Sequence, residues 1–375
     1  MTQTSGFTRA IDPAFWNGRR VLITGHTGFK GGWLAIWLQR LGADVTGIAL
    51  APHTSPSLYE LAGIGERISS RLQDLGDGPA VRQVLGDVQP EVVFHLAAQP
   101  LVRLSYREPI ATLATNIMGT AHVLEAIRHT PSVRAAVIVT SDKCYAESGT
   151  SLPYQEGDRL GGDDPYSASK ACVELVTASY QKSFCREMQA SIATVRAGNV
   201  IGGGDWSQDR LAPDAIRALS QHEKIHLRNP DAIRPWQHVM EPLSGYLMLA
   251  ERLFTEGQQW ASAWNFGPSA NDELKVRQVA DRIVQYWGDG GWAPMPETAA
   301  PHESAVLRLV SAKAREILKW RPVLTLDQAI SLTVAWYRSV LAGENAFAIT
   351  SEQIDQFQDL AGADDAISMS KQRSR

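Results

Sequence analysis

Short apolar runs alternate with stretches of helical periodicity over the first half of the chain. Runs of strand length occupy residues 19–24, 44–50, 68–72, 91–97, 134–140 and 190–196. The run at 91–97, EVVFHLA, is almost continuously apolar, which is typical of a strand with helices on both faces. Helical periodicity covers about 29–41, 110–128 and 166–186. This alternation predicts an α/β fold with a Rossmann-type, doubly wound parallel sheet.

The pattern changes after Arg196. Residues 197–209 are polar and rich in glycine, and the elements that follow are short and rich in Pro and Trp. We therefore expect two domains of unequal kind. The first, residues 12–196, is a dinucleotide-binding Rossmann domain, and the second, residues 197–342, is a smaller C-terminal α/β domain that binds the substrate.

Both ends of the chain are polar. For the tail at 343–375 we expect partial disorder, with Ser351 capping a short helix that ends near Leu360. Residues 1–12 contain no apolar core of a signal peptide, and the chain has no run of about 18 apolar residues. These features predict a cytoplasmic protein without a membrane span.

Composition narrows the choice of partners. The 375 residues are 44% hydrophobic and 20% charged, with a formal net charge of -4 at pH 7. No run of Lys and Arg forms a basic stripe, so we expect no nucleic acid partner. The three cysteines, Cys144, Cys172 and Cys185, form no metal-binding pair and are typical of a reducing compartment. We expect no metal site.

Three glycines follow the first predicted strand at intervals of three. Gly25, Gly28 and Gly31 lie between a strand and a helix, which is the context of a dinucleotide-binding turn. The first glycine permits the tight turn, the second lets the backbone approach a pyrophosphate, and the third allows close packing of helix and strand. The alternative is a glycine-rich turn that binds nothing.

The second strand lacks the acid that commonly binds the cofactor ribose. No Asp, Glu or Arg occurs between Asp44 and Glu60, so neither a ribose acid nor a clamp for a 2′-phosphate is present. We predict NAD as cofactor, with NADP not excluded. Asp74 and Leu75, after the third strand, are candidates for the adenine end, although Asp74 could equally be a solvated surface residue.

A tyrosine and a lysine are spaced one helical turn apart. Tyr166 and Lys170 occur in DPYSASK, where Pro165 suits a helix start, so the pair shares one helical face. A neighbouring cation favours the phenolate, and such a Tyr can accept a hydroxyl proton as hydride leaves the same carbon. Ser141 follows the strand at 134–140, where ligands bind in a parallel sheet. The alternative is an exposed helix start.

These marks resemble the extended short-chain dehydrogenase/reductases. HLAAQ at 95–99 and Asn116 add to the glycine turn and to the Ser, Tyr and Lys. Longer motifs resemble the CDP-glucose 4,6-dehydratases over about residues 12–340. They are GHTGFKGGWL at 25–34, VTSDKCY at 139–145, GGDDPYSASK at 161–170, RAGNVIGGGDW at 196–206 and RPWQHVMEPLSGYL at 234–247.

The resemblance implies a reaction in three parts. Hydride leaves C4 of the hexose, water is lost across C5 and C6, and the hydride returns to C6, giving CDP-4-dehydro-6-deoxyglucose for deoxysugar and O-antigen synthesis. It implies Ser141, Asp142, Lys143, Tyr166 and Lys170 as catalytic residues, with Asp142 as the acid. Lys143 is either the base at C5 or a group that positions substrate. The rivals are an NDP-sugar 4-epimerase and a non-catalytic dinucleotide-sensing module.

The resemblance also implies the binding residues. For the cofactor these are Gly25, Thr27, Gly28, Phe29, Lys30, Gly31, Asp74, Leu75, Leu96, Ala97, Ala98, Gln99, Asn116, Thr140, Tyr166 and Lys170. For the sugar nucleotide they are Gln99, Ser141, Asn199, Asp205, Trp206, Arg210, Arg234 and His238. Each Trp could instead be a core residue. The resemblance further implies a homodimer, with the helices at 110–128 and 166–186 as the candidate contact surfaces.

Overall fold

The computed structural model describes residues 11–147, 149, 152–184, 187–269, 272–295 and 307–373, with only the backbone for residues 273 and 364–373. The strands are β1 (Arg20–Thr24), β2 (Asp44–Ala49), β3 (Ser69–Leu72), β4 (Val92–His95), β5 (Ala135–Val139), β6 (Ser191–Ala197), β7 (Val200–Ile201), β8 (Ile225–Leu227), β9 (Ile233–Pro235), β10 (Gln237–His238), β11 (Ala263–Phe266), β12 (Glu273–Lys275) and β13 (Trp292–Pro294). Cys185 and the predicted helix end at 186 lie outside these residues.

The helices connect the strands and flank the sheet. They are α1 (Pro13–Trp16), α2 (Phe29–Arg40), α3 (Leu58–Leu61), α4 (Gly78–Val88), α5 (Val102–Arg107), α6 (Pro109–Leu113), α7 (Gly119–Arg128), α8 (Pro165–Ser183), α9 (Leu211–Ser220), α10 (Met240–Glu256), α11 (Val276–Trp287), α12 (Leu326–Leu341) and α13 (Ala346–Arg373). A π-helical turn, Ala114–Met118, joins α6 to α7.

The main sheet has seven strands in the order β11-β6-β5-β4-β1-β2-β3, all paired in parallel. Its strands are buried on both faces. In β1, Val21 and Ile23 pack with α2 and α10 on one side, and Leu22 packs with α4 and α7 on the other. The predicted doubly wound α/β fold is confirmed.

The second part of the chain returns to the main sheet. β11 pairs with β6, so Trp264 lies beside Val195, and α10 packs against β5 and β6. Among the described residues, only the short pairs β7–β10, β8–β13 and β9–β12 form sheets of their own, packed with α9, α11 and α12. A domain boundary after residue 196 therefore stays a prediction, because residues after it contribute both to the main sheet and to the small sheets.

The predicted short helix near the C-terminus is wrong. Ser351 is buried inside α13 rather than at its cap, and the helix continues past Leu360 to Arg373. Ile354 and Phe357 are buried, and the Phe357 ring lies 5.6 Å from that of Trp37 in an edge-to-face contact. The sequence appears polar here because its few apolar residues form only a narrow helical stripe against α2.

One helical segment in the described part of the chain, Pro109–Arg128, is long and apolar enough to span a membrane by length and composition alone. Within its most apolar window, 44% of the segment is buried. The segment packs as α6, the π turn and α7 against α4 and α8. It is therefore weak evidence for a span, since core helices pass the same test.

Candidate active site

A cavity of about 1160 Å³ opens at the carboxyl ends of β1, β4, β5 and β6. The strand order reverses between β1 and β4, which is where a doubly wound sheet leaves a crevice for ligands. The glycine turn lines one end of the cavity, and residues of the second part, including Asn199, Asp205, Arg210 and Arg234, line the other. One continuous site can therefore hold a dinucleotide and a second nucleotide together.

The glycine turn has the geometry of a phosphate cradle. Gly25 adopts φ +80°, and a Cβ there would lie 2.7 Å from the Ala97 backbone N. A Cβ on Gly31 would lie 2.1 Å from the Gly25 backbone O. Gly28 is the N-cap of α2 without any side-chain cap, so the first-turn amides of that helix point toward the cavity. This turn fits a dinucleotide pyrophosphate.

Replacing Gly31 by Ala tests this cradle. The clash with the Gly25 carbonyl forces α2 away from β1, so we expect unfolding to become about 1–3 kcal/mol easier and dinucleotide affinity to fall. Calorimetric titration with NAD and thermal melting measure the two effects. Gly86→Ala is the matched control, because Gly86 lies in α4 with nothing near its Cβ position. Equal dinucleotide affinity in both variants would contradict the cradle.

The ribose end of the turn has a histidine where an acid is usual. Thr27 Oγ1 donates to the Leu50 carbonyl at 2.9 Å, which fixes the turn to the end of β2. His53 lines the cavity and its Nε2 lies 3.1 Å from Ser207 Oγ, so it links the β2 loop to the second part of the chain. Asp74 lines the same end, and its Oδ1 accepts the Gly76 N–H at 2.8 Å.

A 3₁₀ turn after β5 holds Ser141, Asp142 and Lys143. Ser141 caps this turn by accepting the Lys143 N–H at 3.2 Å, and its hydroxyl donates to Asp142 Oδ1 at 3.0 Å. Asp142 is 2% exposed, and its Oδ2 is buried without a hydrogen-bond partner in the structure. Lys143 Nζ is half-buried, 3.9 Å from Asp142 Oδ1. Asp142 therefore lines the cavity with one carboxyl oxygen that no described group hydrogen-bonds.

Tyr166 and Lys170 lie on the buried face of α8. Asp164 caps this helix and Pro165 begins it, as the sequence predicts. Tyr166 hydrogen-bonds to the Ser141 side chain, yet burial raises the pKa of the phenol to about 12. Lys170 Nζ donates to the Val139 carbonyl at 3.1 Å, and burial and the neighbouring Lys30 lower its pKa to about 8.

Burial dominates the pKa of Tyr166, and the ammonium of Lys170 is directed to a backbone carbonyl. Lys30 also reaches the site from the first turn of α2. Burial and the charge of Arg210 lower the pKa of Lys30 to about 8, against the opposing pull of Asp142.

The segment after β4 forms the wall between the two ligand regions. Leu96, Ala97, Ala98 and Gln99 all line the cavity. The predicted contact Asn116 does not line it. Its Oδ1 accepts the Gln99 N–H at 2.8 Å, and its Nδ2 donates to Gln99 O and Ser169 Oγ. Asn116 therefore supports Gln99 from behind, in a π turn of the kind often found at functional sites.

Two further predicted contacts also lie away from the cavity. Trp206 packs edge to face on Tyr337 at 5.2 Å, and His238 is fully buried 5.5 Å from the Trp33 ring. Burial lowers the pKa of His238 to about 3, so it is neutral. Trp206 is partly buried against the core and His238 lies within it, so their role as substrate contacts stays a prediction.

Sequence reasoning missed an arginine pair at the cavity opening. Asp209, in a left-handed conformation, lies 2.5 Å from Arg228 and 3.4 Å from Arg103. Arg103 belongs to α5, directly beyond the carboxyl end of β4, and all three residues line the cavity. Arg103 follows β4 and Arg228 follows β8, and this position after a strand end could have identified them as candidate ligand-binding residues. Two arginines beside one carboxylate oxygen in the cavity lining suit a diphosphate.

A doubly wound sheet with a Tyr and a Lys one helical turn apart at its ligand-binding edge is the arrangement of the extended short-chain dehydrogenase/reductases, and this chain has it. Within that class the chain belongs to the GDP-mannose 4,6 dehydratase family, whose profile matches residues 22–333. The predicted class, a sugar-nucleotide dehydratase and hence a lyase, is confirmed at this level.

Individual relatives agree with that assignment. CDP-glucose 4,6-dehydratase of Salmonella typhimurium is 44% identical over 352 residues, 92% of this chain and 98% of that protein. A structure of dTDP-glucose 4,6-dehydratase from Streptomyces venezuelae, with NAD and TYD bound, matches with TM-score 0.73 and 21% identity over 88% of this chain and 99% of that one. UDP-glucose 4-epimerase from Thermotoga maritima matches with TM-score 0.74 and 23% identity, over 86% and 99%. The two structures support the fold alone.

Proposed function

We propose that this protein converts CDP-glucose to CDP-4-dehydro-6-deoxyglucose and that it uses NAD. The observation that carries the proposal is the buried, unpartnered Oδ2 of Asp142, beside Tyr166 and Lys170 in one cavity. A 4-epimerase needs no acid for a departing hydroxyl, whereas a dehydratase does. The choice of CDP-glucose rests on the relative that is 44% identical.

The residues divide the chemistry between them. A dinucleotide held at the glycine turn would supply the hydride acceptor for C4 and the hydride donor for C6. Tyr166 accepts the proton of the C4 hydroxyl, with the ammonium of Lys170 as the cation that favours its phenolate. Lys143 removes the C5 proton, which the C4 carbonyl has made acidic, and Asp142 donates a proton to the C6 hydroxyl as it leaves as water. When hydride adds to C6, the ammonium of Lys143 gives a proton, exchanged with solvent, back to C5. Exchange with water then returns Tyr166 and Asp142 to their starting protonation. Ser141 bonds both Tyr166 and Asp142 and aligns them.

The remaining cavity residues support binding. The glycine turn, Thr27, Phe29 and Lys30 line the dinucleotide end together with Asp74 and Leu75. Gln99, Asn199, Asp205, Arg210 and Arg234 line the sugar-nucleotide end, and Arg103 and Arg228 stand at the opening for the diphosphate. Because the hydride returns in each turnover, the cofactor need not leave, which fits a ribose end without an acid.

Turnover of CDP-glucose in deuterated water, with and without added NAD, tests the proposal. NMR should show a 6-deoxy-4-keto sugar with deuterium at C5, since the C5 proton exchanges with solvent during elimination. Parallel runs with dTDP-, UDP- and GDP-hexoses report the base preference. A C4 epimer without water loss would replace the proposal with the epimerase, and dinucleotide binding without turnover of any sugar nucleotide would favour the sensing module.

We further propose that the protein acts as a homodimer in the cytoplasm. Ile110 and Met118 are 76% and 51% exposed, and Leu175 on the adjacent α8 is 59% exposed. Ala114, Ala168 and Cys172 continue these apolar stripes at helical spacing. The two helical segments lie side by side, so their stripes form one apolar surface that a second copy can cover.

Replacing Leu175 by Glu should prevent dimer formation, because it would place a charge in the centre of this surface. Sedimentation velocity should give a monomer for the variant and a dimer for the parent protein. Leu341→Glu is the matched control, since Leu341 is 52% exposed at the end of α12, away from these helices. If the Leu175→Glu variant forms a dimer over the same range of protein concentration as the parent protein, this surface is not the dimer interface.

A further inference from the structure

Beneath the active site, a buried ion pair joins β6 to α8. Arg196 Nε and Nη2 donate to the two carboxylate oxygens of Glu174 at 2.7 and 2.9 Å. The same carboxylate accepts hydrogen bonds from Thr140 Oγ1 at 2.5 Å and Thr194 Oγ1 at 2.7 Å. Both members of the pair are at most 4% exposed. Four donors therefore satisfy the Glu174 carboxylate.

Glu174 is one helical turn from Lys170 on the same buried face of α8. Residues at this spacing are near enough to form an ion pair, although the order here, with Lys before Glu, is the less favourable one. Here the pair does not form. Lys170 Nζ instead donates to the Val139 carbonyl at 3.1 Å, on the side of the cavity. The competing donors on Glu174, above all the forked guanidinium of Arg196, account for this arrangement.

We propose that Arg196 is a positioning residue that occupies the Glu174 carboxylate and so leaves the ammonium of Lys170 available to Tyr166 and to the ligands in the cavity. The inference rests on the function proposed above for Tyr166 and Lys170. An Arg suits this role because its planar fork satisfies both carboxylate oxygens at once and stays charged when buried. Tyr145 Oη, 2.7 Å from Arg196 Nη1, fixes the fork from its other side.

Of the other titratable groups near Lys170, none offers it a carboxylate in place of Glu174. Burial and the charge of Lys30 lower the pKa of Lys170, whereas Glu174 raises it. His95 is buried, and its pKa is lowered to about 3, so it carries no charge at neutral pH. Glu174 is thus the carboxylate whose release would change Lys170 most, because it is the one within a helical turn.

The test is a mutant cycle on the holoenzyme: Arg196→Met, Glu174→Gln and the double variant. Lysine labelled with ¹³C at Cε reports the titration of Lys170 by NMR, with Lys170→Arg assigning its signal. In the parent protein the pKa should be about 8. In Arg196→Met the freed Glu174 should raise it by about 1 to 3 and reduce kcat by about tenfold or more. The double variant should return the pKa and most of kcat toward the parent values.

A merely structural role predicts a different pattern. The double variant would then be as inactive as Arg196→Met, and the Lys170 titration would stay near its parent value; either result overturns the inference. Arg19→Met is the control, because Arg19 forms a pair with Glu91 at 2.6 Å, with side chains 21% and 20% exposed, at the amino ends of β1 and β4 and away from the cavity. It should lower the melting temperature without moving the Lys170 titration. The Lys170 titration is measured without turnover, so it tests this inference even if the proposed reaction is wrong.

Discussion

Replacing Asp142 by Asn should stop water loss while leaving C4 oxidation in place. Asn keeps the shape of Asp and still accepts the Ser141 hydroxyl at Oδ1, but it has no proton to give from the position of Oδ2. Loss of a general acid costs about 10²–10⁴ in rate. Mixing excess enzyme with CDP-glucose should therefore accumulate reduced dinucleotide, seen by its absorbance, with little 6-deoxy product by NMR.

The control for this variant is Asp87→Asn. Asp87 lies in α4 in an exposed pair with Arg71, outside the cavity, and its replacement should leave both signals at the parent level. An Asp142→Asn enzyme that formed 6-deoxy product at nearly the parent rate would show that another group protonates the leaving hydroxyl. The half-buried Lys143, 3.9 Å from Asp142, would then be the next group to replace.

Replacing Tyr166 by Phe should stop the reaction one step earlier. The Phe ring fills the same buried space on α8, but no oxygen remains to accept the C4 proton. We expect kcat to fall by about 10²–10⁴ and no reduced dinucleotide to accumulate. The two variants therefore differ in a single-turnover experiment even though both lack product.

Tyr180→Phe is the matched control on the same helix. Tyr180 Oη donates to Glu125 at 3.2 Å on the outer side of α8, so its loss should leave activity unchanged. Accumulation of reduced dinucleotide by Tyr166→Phe would mean that another base accepts the C4 proton. In that case the buried Lys170 would be the nearest candidate on the same face.

Much of the fold is predictable from local hydrophobic patterns in the sequence. Strands buried on both faces are nearly continuous apolar runs, so β1, β4 and β5 are predicted to within a few residues. β11 was not predicted because AWNF at 263–266 is interrupted by the polar Asn265 and so does not form a continuous apolar run.

The site was predictable where position along a strand or helix determines it. Ser141 was predicted from the end of β5 and Tyr166 from the start of α8, whereas Asp142 was predicted from the family resemblance. All three line one cavity in the structure. Trp206 and His238 lie in a predicted motif but pack in the core, because sequence spacing alone does not give side-chain direction. The raised pKa of Tyr166 was also unpredictable, since it depends on burial by elements distant in the chain.

The most direct test of the account uses CDP-glucose that carries deuterium at C4 of the hexose. If Tyr166 and Asp142 act as proposed on one bound sugar, the label must move from C4 to C6 of the same molecule. The expected product is a 4-keto sugar whose C6 methyl group contains that deuterium, observed by NMR and mass spectrometry. Deuterium that remains at C4 in an epimerised hexose, or a 6-deoxy product without it, would contradict the proposed reaction.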